Sequence, residues 1–244
     1  GHTSSGGRPH AEANTLENVH FKKNKIYTLY STLEPCCHEG RDESCVSKIL
    51  KSKKINRVIF SLIDPDKRVN GKGKKILKKN NLEVKSGLLE NQIKNLYQGY
   101  ILNRKENRPK IILKLAITKD GYITFEKGKR TKITNLISDK YSDILRSEVD
   151  AILVGANTVR IDNCILKCKM TGLINKSPIR IVLNRKLDLS TNSKIFKNCK
   201  EFRTILFTSN SCKNLIKNYE KKGVEVTFLK KEFYTLKNIL KELS

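Results

Sequence analysis

Tryptophan is absent from this 244-residue chain, methionine occurs once, at Met170, and aromatic residues make up only 7% of it. A protein that holds single-stranded nucleic acid interleaves aromatic stacking platforms with its basic groove, and no such interleaving is present here. Acidic residues are scarce as well: 24 Asp and Glu stand against 50 Lys and Arg, for a formal net charge of +26. A charge of that size invites a nucleic-acid reading. The excess is spread over the whole chain, however, with 22 basic against 11 acidic side chains in residues 1–108 and 28 against 13 in residues 109–244. It is therefore read as compositional bias, and no nucleic-acid partner is expected. A positive field would still favour a phosphorylated small molecule. No run approaches the roughly 18 apolar residues of a membrane span, so no membrane partner is expected. No basic-then-apolar leader with a small-residue cleavage site is found, which makes a cytoplasmic location the expectation. The chain opens on Gly1 and is read as a fragment or a processed form, with part of its first domain expected to lie beyond it.

The seven cysteines show no disulfide-scaffold spacing. Cys36, Cys37 and Cys45 lie close together, while Cys164, Cys168, Cys199 and Cys212 are scattered. All four histidines, His2, His10, His20 and His38, fall in the first 38 residues. In a reducing compartment clustered cysteines point to metal or catalysis rather than to bridges.

Hydrophobic periodicity predicts two α/β patterns in succession. In the first, residues 10–20 form a helix, 26–32 a strand, 45–50 a helix, 57–63 a strand stopped by Asp64-Pro65, 73–80 a helix, 82–87 a short strand and 89–102 an amphipathic helix. The polar, proline-terminated stretch 103–109 is the linker candidate. In the second pattern, 110–118 reads as a strand and 135–148 as a helix capped by Thr134 or Asn135. Buried strands are expected at 151–155, 179–183 and 203–208. A helix follows at 213–223, then a strand at 225–229, and a last helix at 234–243. The alternation predicts mostly parallel sheets.

The chemistry concentrates in His10-Ala11-Glu12, Pro35-Cys36 and Cys45. Hydrolytic deamination needs hydroxide at neutral pH, and zinc supplies it by acidifying a bound water. Three protein ligands leave the fourth tetrahedral position open for that water. One imidazole and two thiolates meet the need, and Glu12 stands two residues from His10, placed to shuttle the proton without being a ligand. Cys36 and Cys45 as ordinary buried thiols would be the bland alternative, and Cys37 and His38 are competing ligands. The spacing of eight residues between Cys36 and Cys45 departs from the short Pro-Cys-x-x-Cys of the general zinc-deaminase pattern.

GGRPHAEA (6–13), TLEPCCHEGR (32–41), Cys45 and DPDKRVNGKG (64–73) together resemble the bifunctional pyrimidine deaminase/reductase family of riboflavin biosynthesis, whose cysteines carry the same insert. The resemblance continues through Gly99-Tyr100, Arg108-Pro109, KLAITKDG (114–121), KITN (132–135) and DAILVGANTVRIDN (150–163), and weakens after about residue 185. It implies a cytidine-deaminase-like three-layer α/β domain over residues 1–103, followed by a dihydrofolate-reductase-like α/β domain over 104–244. It also implies two successive reactions. The first removes an amino group from a diamino-ribosylamino-pyrimidinone 5′-phosphate with Zn2+, and the second reduces the ribosyl group to ribityl with NADPH. By motif position, His10, Cys36 and Cys45 would hold the zinc and Glu12 would be the catalytic proton shuttle. Ala116, Thr158 and Asp162 would touch NADPH. Arg41, Arg146, Leu166 and Lys169 would lie along the substrate, Arg41 meeting its phosphate. The family also implies self-association into a homo-oligomer.

The chain departs from the family at Arg130 and Lys132, which replace a small polar residue and an aromatic, and at Asn163-Cys164, which replace Asp-Pro. A Glu-Gly-Gly segment that helps hold the cofactor is not found before Ser244, so the C-terminal part of the reductase domain is expected to be missing. Two rivals stand beside this reading. A nucleobase or tRNA deaminase predicts the short cysteine spacing and no second domain. A zinc-stapled basic nucleic-acid module predicts steeply salt-dependent binding and leaves Glu12 without a task.

Overall fold

A computed structural model of the chain describes residues 1–40 and 42–244. It divides into two compact units, the first comprising Gly1–Ile111 with Leu243–Ser244, the second Ile112–Glu242.

The first unit begins with α1 (Ala11–Asn18), β1 (Tyr27–Leu33), α2 (Cys45–Ser52) and β2 (Ile55–Leu62). It continues through α3 (Lys72–Lys79), β3 (Glu83–Ser86), α4 (Glu90–Leu96) and α5 (Gln98–Glu106). Its three strands are parallel in the order β1-β2-β3. Parallel neighbours need a crossover connection, and α2 and α3 lie in those connections. Ser44 starts α2 by accepting the Ser47 N–H on its hydroxyl at 3.2 Å, satisfying one orphan donor of the first turn. Helix α2 turns Val46 and the fully buried Ile49 inward, against Val58 and Phe60 of β2, Leu77 of α3 and Val84 of β3. Each such side chain contributes roughly 1.5–3 kcal/mol on leaving water.

The second unit contains α6 (Leu136–Glu148), β4 (Ala151–Gly155), α7 (Ala156–Asp162), β5 (Ile179–Leu183) and β6 (Thr204–Thr208). It ends with α8 (Lys213–Glu220), β7 (Glu225–Phe228) and α9 (Leu236–Glu242). Its four strands are parallel in the order β4-β5-β6-β7. Val182, Leu206, Ile195, Phe196 and Tyr219 form its core. Asn135 caps α6, accepting the Ser138 N–H at 2.9 Å. Arg180, fully buried within β5, spends its guanidinium on the Phe202 carbonyl (2.8 Å) and the Thr204 hydroxyl. No helix is long and apolar enough to cross a membrane among the described residues.

The two α/β patterns agree with the sequence reading, and four details differ. The helix expected over 89–102 is two helices that meet at Tyr97. Helix α5 runs on to Glu106, into the expected linker, and the two units part between Ile111 and Ile112. The expected strand at 110–118 joins no ladder among the described residues, and Ile111, Ile112, Leu113, Leu115 and Ile117 are all exposed. Apolar, β-branched composition is a preference that only a neighbouring strand converts into a sheet. The strand at 151–155 forms as β4, but at the sheet edge, so it is half exposed rather than buried.

Candidate metal centre

The first unit brings His10, Cys36 and Cys45 together from three separate elements. His10 caps the start of α1 in extended conformation. Cys36 follows β1 on the Glu34-Pro35 turn, and Cys45 is the first residue of α2. Their donor atoms all lie within 4.8 Å of one another. The His10 Nδ1 stands 3.5 Å from the Cys36 Sγ and 3.4 Å from the Cys45 Sγ. A tetrahedral ion with Zn–N near 2.0–2.1 Å and Zn–S near 2.3 Å sets nitrogen and sulfur roughly 3.5 Å apart. Both nitrogen–sulfur spacings thus match those of a zinc site. Both cysteines are buried, and His10 is half-buried.

The electrostatics favour anionic sulfur. The Cys36 sulfur neighbours the Cys45 thiol and the His10 imidazole, and it accepts the Cys45 backbone N–H at 3.3 Å. Together they bring the Cys36 thiol down to about 3. Cys45, beside Cys36 and desolvated next to Glu12, is pushed up. His10 is raised by its bond to Cys36. The sulfur of Cys45 sits at the N-terminus of α2, where the helix dipole favours a thiolate once metal replaces the proton.

Glu12 lies in the first turn of α1, its carboxylate 3.7 Å from the Cys45 Sγ. Burial raises its pKa above the usual carboxylate range. Cys37 turns away, its Sγ donating to the Arg68 carbonyl at 3.6 Å. Neither Cys37 nor His38 joins the three donors among the described residues. The expected phosphate contact Arg41 lies outside the described residues.

Two features of this unit escaped the sequence reading. Glu34 is a buried carboxylate, 2% exposed, that accepts three backbone N–H groups from residues 64–74. Asp66 is buried and paired with Arg68, whose hydrogen bonds hold its carboxyl well below the usual range, while Asp64 accepts from the Tyr100 hydroxyl at 2.9 Å. Only the acidic letters in LEP and DPD hinted at either, since an exposed carboxylate has the same letter as a buried one.

In the second unit the expected site residues are more dispersed. Ala116 lies in a stretch without regular structure, Thr158 is exposed on α7, and Asp162 ends that helix. Arg146, in the last turn of α6, pairs with Asp143 one turn earlier. Leu166 packs against the core with φ +60°, and Lys169 is exposed. Burial raises the pKa of the half-buried Cys164, with the charges of Asp162, Arg146 and Arg130 as smaller influences.

A buried His-Cys-Cys donor set beside a non-ligating glutamate, on a parallel α/β sheet, is that of a zinc-deaminase-type protein. The family described as "Cytidine and deoxycytidylate deaminase zinc-binding region" matches residues 2–62, and the family described as "RibD C-terminal domain" matches residues 109–244. The chain belongs to the RibD family. It is 37% identical to the riboflavin biosynthesis protein RibD of Aquifex aeolicus (strain VF5), over 100% of this chain and 66% of that protein. It is 34% identical to its namesake in Synechocystis, over 91% and 60%. Among solved structures, Acinetobacter baumannii RibD superposes with TM-score 0.85 at 28% identity, covering 97% of this chain and 64% of that one. A diaminohydroxyphosphoribosylaminopyrimidine deaminase/5-amino-6-(5-phosphoribosylamino)uracil reductase from Thermotoga maritima does so with TM-score 0.83 at 30% identity, also over 97% and 64%. The chain thus spans under two thirds of the length of these curated relatives.

Proposed function

We propose that the chain carries the zinc-dependent deaminase of riboflavin biosynthesis over residues 1–103, joined to an NADPH-dependent reductase domain over 104–244. The observation that carries the reading is the trio His10, Cys36 and Cys45 at zinc spacing, with Glu12 beside it but outside the donor set. The substrate of the first step would be 2,5-diamino-6-ribosylamino-4(3H)-pyrimidinone 5′-phosphate, and that of the second its deaminated product.

When bound, zinc supplies an acidified water at the open fourth position. Glu12 would pass one proton of the attacking water to the ring nitrogen as the hydroxyl adds to the amine-bearing carbon, then carry the proton of that hydroxyl to the amine, so that the C–N bond breaks, ammonia leaves and a carbonyl remains. Its desolvated setting lets one carboxyl serve in both directions. Arg41 would meet the substrate phosphate. In the second unit, Ala116, Thr158 and Asp162 would border the cofactor and Arg146, Leu166 and Lys169 the ribosyl phosphate, with hydride transfer supplied by NADPH. A cytoplasmic setting and self-association complete the proposal, and the small-molecule substrate requires neither nucleic acid nor membrane.

The test is zinc content measured together with ammonia release from the diamino-pyrimidinone ribotide. One zinc per chain with ammonia release is the expected result. Zinc without turnover on that compound would overturn the deaminase reading in favour of a structural zinc site.

A further inference from the structure

The geometry points to Glu34 as a positioning residue for the metal centre: its carboxylate ties the Glu34-Pro35-Cys36 turn to the start of α3 and so fixes where the Cys36 sulfur stands. This inference rests on the metal-site reading above and adds a residue that is not a ligand.

Glu34 directly follows β1, two residues before Cys36, and is only 2% exposed. A buried carboxylate is costly unless its oxygens are hydrogen-bonded. No basic side chain pairs with it among the described residues. Instead, Oε2 accepts the backbone N–H groups of Gly71 at 2.8 Å and Asp64 at 3.3 Å, and Oε1 accepts that of Lys74 at 2.9 Å. Gly71 is the N-cap of α3, with φ +81°, and has no side chain to satisfy the first turn. Glu34 therefore performs from another segment the task that a capping Ser or Asp performs locally, and its negative charge faces the positive end of the helix.

The same residues press on the metal turn itself. A Cβ on Gly73 would fall 2.3 Å from the Pro35 carbonyl oxygen, so α3 touches the backbone immediately before the ligand. Val69, 1% exposed, packs with Cys36 and Cys45. The Arg68 carbonyl accepts from the Cys37 Sγ, turning that competing sulfur away from the site. On the other side, the Cys36 carbonyl accepts the Val46 N–H at 3.1 Å, and its sulfur accepts the Cys45 N–H. Cys36 is thus held between α2 and the segment 64–74, and Glu34 is the charged link to that segment. A helix cap alone would not require the capping carboxylate to lie two residues from a metal ligand.

The test uses Glu34→Gln in the full chain. The amide keeps the shape but has one accepting oxygen, and its NH2 must face a backbone donor. Zinc affinity is measured against a chromophoric chelator, and the Co2+-loaded protein is measured by its ligand-field and thiolate charge-transfer absorption. The expected result is a loss of zinc affinity of about 10–100-fold, as for groups that orient metal ligands, with altered cobalt bands. Affinity within twofold of the parent and superimposable bands would overturn the inference, even if the metal-free variant unfolds more easily, because Glu34 would then only cap α3. Should Glu34→Gln not fold, Gly73→Ala displaces the Pro35 carbonyl with every charge intact and must produce the same spectral change; unchanged bands and affinity overturn the inference. A parent chain that takes up neither metal removes the metal-site reading itself. A parent and variant that bind equally well remove only the role of Glu34.

Discussion

Replacing Glu12 by Gln removes the proposed proton shuttle and little else. The amide has the same volume and the same place in the first turn of α1, and none of the three donors is altered. Proton transfer by a positioned side chain is worth typically 10²–10⁴ in rate, or about 3–5 kcal/mol of barrier. Turnover on the diamino-pyrimidinone ribotide should therefore fall by about that factor while zinc stays at one per chain. The sign of the stability change follows from burial. A carboxyl whose folded pKa is raised opposes folding once the pH exceeds its unfolded value, and the folded pKa of Glu12 is raised by desolvation. The metal-free Gln variant should be as stable as the parent at pH 7, or more so. The assays are ammonia release, zinc stoichiometry and urea unfolding of the metal-free proteins. Turnover within tenfold of the parent at equal zinc content would refute the proton-shuttle role, and loss of zinc would refute the claim that Glu12 stands outside the donor set.

Cys45→Ala should abolish tight zinc binding; added zinc should then raise the melting temperature of the parent but not of the variant, since a ligand at a thousand times its Kd contributes about 4 kcal/mol. An equal shift in both proteins would show zinc bound elsewhere. Arg68→Met should remove about 1 kcal/mol at pH 6, a modest figure because the guanidinium is largely exposed. Asp66 has its folded pKa depressed below 3.8 by Arg68, so that stabilisation is full above 3.8 and fades as the pH falls through the folded value. Urea midpoints at pH 6 and pH 2 check this, and a gap that is equal at both would contradict it. Ile49→Ala, at a fully buried position of α2, should cost about 2–5 kcal/mol in denaturant unfolding; a cost below 1 kcal/mol would mean that α2 is not packed on the sheet as described.

That His10, Cys36 and Cys45 would come together was legible in the sequence because their spacing is unusual and their chemistry is narrow: an imidazole, two thiols and a nearby carboxylate have few joint uses. Alternation of apolar segments likewise exposed both α/β units, since periods of two and 3.6 are set by local backbone geometry. The segment at 110–118 marks the limit of such patterns. Its letters are those of a strand, yet it pairs with no strand among the described residues and its Ile and Leu side chains are exposed.

Residue types and their order along the chain thus determined that this protein would pair a zinc-type donor set with a second α/β unit. Tertiary structure supplied the reason that Cys36 rather than Cys37 faces His10: the Arg68 carbonyl accepts from the neighbouring sulfur. It alone decided that Glu34 is a buried clamp rather than a surface charge, because its three donors come from residues 30 to 40 positions away, a distance no local pattern can encode.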